Sequence, residues 1–99
     1  MKVIDFSPFE WYLLSWDDKF ILNVNCSYSS FGTIVALELT PAESVSFIES
    51  GKPFIVQLAS IINRESSVKE TKIFERRISK ELKDIVTETI LKFNKENGI

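Results

Sequence analysis

Histidine is absent from this 99-residue chain. That removes Ser-His-Asp and Cys-His nucleophilic catalysis, and the histidine pair with which many ribonucleases move protons. Cysteine occurs once, at Cys26, which excludes an internal disulfide and fits a reducing compartment. With one cysteine and no histidine, a structural or catalytic zinc site is not expected, and neither is a cofactor. The three glycines (32, 51 and 98) are scattered, so no glycine-rich phosphate loop exists. No apolar run approaches the roughly 18 residues that span a bilayer. The opening MKVIDFSPFEW lacks the apolar core of a signal peptide. Asn25-Cys26-Ser27 matches a glycosylation sequon, which means little without a secretion signal. The expectation is one soluble, cytoplasmic, non-enzymatic domain over residues 1–99.

What is present begins with charge. The net charge of −2 hides an asymmetry. Residues 1–63 carry three lysines against seven acids, a net −4, whereas residues 64–99 carry nine basic residues against seven acidic ones. Nucleic acid binding wants clustered positive charge, so this distribution argues against it. An acidic N-terminal half suits a basic protein partner instead.

The firmest local pattern is TIVALELTPAESVSFIESGKPFIVQLASII, from Thr33 to Ile62. Thr33, Val35, Leu37 and Leu39 recur every second residue, the period of a half-buried strand. Thr40-Pro41-Ala42-Glu43 then reads as a helix start. Thr40 is the N-cap, Pro41 takes the first helical position, and the Glu43 carboxylate reaches back to the Thr40 N–H. Ala42, Val45 and Ile48 form one helical stripe up to Gly51. Pro53 restarts a second stripe of Ile55, Leu58, Ala59 and Ile62, with a sharp corner over Ser50–Pro53.

Upstream, Lys2–Phe6 is a short edge strand ended by Ser7-Pro8. Glu10–Trp16 is apolar on both parities, and Asp17-Asp18 signals a turn. Lys19–Ser27 alternates, with Phe20, Leu22, Val24 and Cys26 inward. Downstream, Val68–Ile78 reads as a charged edge strand, or alternatively as an extension of the last helix. Ser79 caps that helix, Leu82, Ile85, Thr89 and Phe93 run down one face with Val86 and Ile90, and Asn97-Gly98 ends it. The order predicts an α+β fold: an antiparallel meander of about four to five strands, with a helix–helix corner and a C-terminal helix packed on one face.

The candidate site is the aromatic and acidic group Glu10, Trp11, Tyr12, Trp16, Asp17 and Asp18, within an aromatic cluster that also holds Phe6 and Phe9. Exposed aromatics beside carboxylates anchor protein partners, because Trp and Tyr supply large contact areas. The competing reading buries both parities of this strand under further elements and leaves the two aspartates to turn chemistry. A homodimer contact through the sheet face is the other interaction open to it. The basic grouping of Arg64, Lys72, Arg76, Arg77 and Lys80 is interspersed with Glu65, Glu70 and Glu75, and reads as a self-neutralising solvated face.

In ALELTPAESVSFIESGKPFIVQLASII the chain resembles small bacterial immunity proteins of polymorphic-toxin and contact-dependent inhibition systems. The likeness lies in a strand ending in Leu39-Thr40 with Glu43 closing the cap, followed by a helical pair broken at Gly51. It covers roughly a third of the chain. The resemblance implies a cytoplasmic, non-enzymatic protein that occludes a cognate toxin, often a basic nuclease. It transfers no binding residues.

Overall fold

The structure, a computed structural model, describes residues 1–26, 33–65 and 76–99. Four strands form one sheet in chain order: β1 (Lys2–Ser7), β2 (Trp11–Trp16), β3 (Lys19–Cys26) and β4 (Thr33–Glu38). All neighbours are antiparallel, so the sheet is the expected meander. Three helices follow: α1 (Pro41–Ser50), α2 (Lys52–Glu65) and α3 (Lys80–Glu96). The fold is α+β.

The helices divide between the two faces of the sheet, which corrects the expectation that they share one. On the first face, Trp11, Leu13, Leu22, Val24, Cys26, Val35 and Leu37 meet Ile55, Leu58, Ala59 and Ile62 of α2. On the second, Tyr12, Leu14 and Ile21 meet Val86 and Ile90 of α3. The cause is written in β2. Its four residues Trp11–Leu14 are all buried, and a strand apolar on both parities stays out of water only when both faces are covered.

β1 serves the second face through an irregularity. Its pairing with β2 shifts between Val3 and Asp5, leaving Ile4 as the extra residue. The shift changes parity, so Val3 and Phe6, three residues apart, both pack on the α3 side. There Phe6 stacks on Tyr12 at 5.8 Å and meets Phe93 edge-on at 5.0 Å. The Tyr12 hydroxyl donates to Asn94 Oδ1 at 2.9 Å, which satisfies the one polar atom this ring carries into the core.

The β4–α1 junction follows the sequence closely. Thr40 Oγ1 accepts from the Glu43 N–H at 3.2 Å, and the Thr40 N–H donates to Glu43 Oε1 at 2.8 Å. Gly51 (φ 75°) makes the corner into α2, a backbone conformation that favours glycine. The α1 stripe behaves differently from expectation. Ala42 is exposed, and Val45 and Ile48 are 53% and 71% exposed. The corner turns Phe47 inward instead, where it meets Phe20 edge-on at 5.2 Å. In α3 the buried seam is Leu82, Val86, Ile90 and Phe93, and Ile85 lies outside it.

Of the expected strand Val68–Ile78, residues 68–75 lie outside the described residues. At its end, Arg77 bridges to Leu37 and the Ile78 N–H donates to the Ala36 carbonyl, both on the outer edge of β4. Arg76 departs from the expected solvated face: its guanidinium binds both Glu43 carboxylate oxygens and the Glu38 carbonyl. Lys52 ties α2 to β1, with its ammonium 3.8 Å from Asp5 Oδ1 and over the Trp11 ring.

Candidate binding surface

The six residues singled out in the sequence do not form one surface. Trp11 and Tyr12 are core residues, 3% and 8% exposed, and they point to opposite faces of the sheet. They are therefore not available as anchors, and the reading that covers both parities is the one observed. The sheet face holding Tyr12 lies under α3. Glu10 is exposed in the β1–β2 turn, at the opposite end of β2 from Trp16. The six residues of β2 put about 17 Å between those ends.

Trp16, Asp17 and Asp18 do stay together, at the β2–β3 hairpin. Asp17 and Asp18 both have positive φ, 48° and 63°, between the paired residues Trp16 and Lys19. This is a two-residue turn of the primed kind, whose twist matches that of the flanking strands, and aspartate is among the residues that accept it. Trp16 keeps the parity of Tyr12 and Leu14 but is not part of the α3 core, and it remains 39% exposed. Lys19 is engaged by Glu38 at 3.5 Å. Asp17 and Asp18 have no ion pair among the described residues.

Across an open cleft of about 550 Å³ from this turn stands Ile48 of α1, with Ser15 and Phe20 on the cleft wall. Sequence reasoning missed Ile48 because it sits on the stripe that periodicity assigns to the core. The signal that reassigns it is Phe47: with a phenylalanine adjacent, two stripes compete for the sheet and the larger ring takes it. The result is a cleft edged by one tryptophan, one isoleucine, two aspartates and two lysines, Lys2 and Lys19, the latter engaged by Glu38.

Among the described residues no three His, Cys, Asp or Glu side chains converge as a metal site. Glu43 is a displaced acid. Partial burial would raise its pKa, but the hydrogen bonds from Arg76 and from the Thr40 N–H, with the Arg76 charge, hold it below the ordinary value. Those same bonds occupy its carboxylate. No described helix is long and apolar enough to cross a membrane. No protein-family model, no curated protein sequence and no solved structure matches the chain.

Proposed function

We propose that this chain is a cytoplasmic, non-enzymatic protein-binding module, an immunity protein that neutralises a cognate toxin by occluding it. The observation that carries this reading is the pairing of exposed Trp16 with exposed Ile48 across a cleft edged by Asp17 and Asp18. Large apolar side chains left in water beside carboxylates suit a partner surface that is basic around an apolar centre. The net −4 of residues 1–63 adds long-range attraction for such a partner, which speeds encounter, while Trp16 slows release. The resemblance around Leu39, Thr40, Glu43 and Gly51 supplies the biological setting, with a basic nuclease domain as the expected toxin.

The test is co-expression with the C-terminal region of the protein encoded immediately upstream, scoring growth rescue and co-purification. Rescue together with a stoichiometric complex is expected. In that complex Trp16→Ala weakens binding by about 2 kcal/mol, the scale of an interface hot spot. Unchanged affinity in a folded Trp16→Ala protein removes this surface from the proposal. Absence of both toxicity and complex removes that toxin as the partner.

A further inference from the structure

The opposite end of the sheet carries a second feature, unrelated to the hairpin surface. Phe9 stands in the β1–β2 turn, 79% exposed, with its backbone in the left-handed region at φ 65°. That region is strained for any residue with a Cβ other than Asn or Asp. The turn is nonetheless pinned: Asn25 Nδ2 donates to the Phe9 carbonyl at 3.1 Å, and the Asn25 N–H donates to the Glu10 carbonyl at 2.9 Å. The Ser7 hydroxyl donates to Glu10 Oε2 at 2.7 Å. A strained, hydrogen-bonded turn therefore presents a bare aromatic ring to solvent.

Beside Phe9 opens an apolar groove of about 470 Å³ between α3 and the β3–β4 part of the sheet. Its floor is Tyr12 and Ile90, and its walls include Ile34 (46% exposed) and Leu91 (63% exposed). The half-buried Asn23 carboxamide also lines it, with no hydrogen bond of its own among the described residues. Charge is placed with a direction. Glu10 lies at the β2 end of the groove and Lys83, beside the Ile34 carbonyl, at the β4 end. Two strand spacings, about 10 Å, separate these ends.

We propose that this groove receives Phe9 of a second copy of the chain in a two-fold dimer. Each Phe9 packs between Ile34 and Leu91 of the other copy, and each Glu10 faces the Lys83 of the other. A two-fold interface must carry both halves of every contact on one patch. This patch does so: knob and groove adjoin, and opposite charges lie at opposite ends. Turning the patch onto itself brings unlike charges together, whereas a partner of a single charge sign meets repulsion at one end. The pairing involves neither Trp16 nor Ile48, so it stands or falls separately from toxin binding.

The experiment is light scattering of the full chain over a dilution series. The wild type is expected to pass from 11.4 kDa to twice that mass as concentration rises. Phe9→Asn removes the ring while suiting the left-handed backbone, so it folds at least as well and stays at the monomer mass throughout. Glu10→Lys and Lys83→Glu are each expected to weaken the dimer about tenfold, and combining them to restore it. A wild type that is monomeric at every concentration overturns the proposal, as does a Phe9→Asn dimer as tight as the wild type. A double reversal weaker than both single variants overturns the charge pairing.

Discussion

Neighbouring residues in β2 have unlike fates, because a strand alternates its side chains between faces. Trp11 joins the α2 core, Tyr12 joins the α3 core, and Trp16 reaches neither. Cys26 shows the same rule at the end of β3, where parity alone places it inward and it is fully buried. Its thiol is therefore expected to resist a thiol-specific reagent in the native protein and to react at once in denaturant, which a colorimetric thiol titration measures. Rapid labelling under native conditions would contradict its burial. The inward side of β3 was legible in the sequence from its alternation. The exposed ring of Phe9 was not, because its conformation depends on Asn25, sixteen residues away, closing over the turn.

Among the elements, α1 has the least core and the most tethering. It contains no buried residue, and what holds it is Phe47, the Thr40–Glu43 capping box and the Arg76 clasp. Removing Arg76 leaves a partly buried carboxylate without its charged partner, so Arg76→Ala is expected to cost about 2 kcal/mol in denaturant unfolding. The sign of the acid response follows from Glu43. Its pKa in the folded state is depressed, so its contribution is present above the ordinary value of 4.5 and is lost as pH falls below it. Melting temperatures should therefore drop more steeply below that pH in the wild type than in Glu43→Gln. Equal slopes would show that Glu43 does not govern the acid limb. The capping box was legible because its residues lie within one turn of each other. The orientation of α1 was not, since Phe20 and Phe47 meet only after the chain has reversed direction.

At the scale of the whole molecule, the sheet is a partition between two cores. Ile55 under α2 and Ile90 under α3 share no core cluster. Ile55→Ala and Ile90→Ala are each expected to cost about 3 kcal/mol, and the double variant to match the sum within about 0.5 kcal/mol. A large coupling in chemical denaturation would mean that the sheet transmits packing strain from one side to the other. The doubly apolar parity of Glu10–Trp16 left two-sided burial open as the competing reading, beside the expectation that the helices share one face. The identity of the covering helix was not, because amphipathic helices carry no label for the face they will meet.

The division of labour between α2 and α3 also fixes an order of events during synthesis. The strands and α1–α2 leave the ribosome first, with one face of the sheet already able to close. The other face, with Tyr12, Leu14 and Ile21, has to wait for α3. At about 5–20 residues per second, the interval between Glu38 and Glu96 lasts about 3–12 s. For those seconds the nascent chain displays a greasy half-sheet, the kind of surface that molecular chaperones recognise.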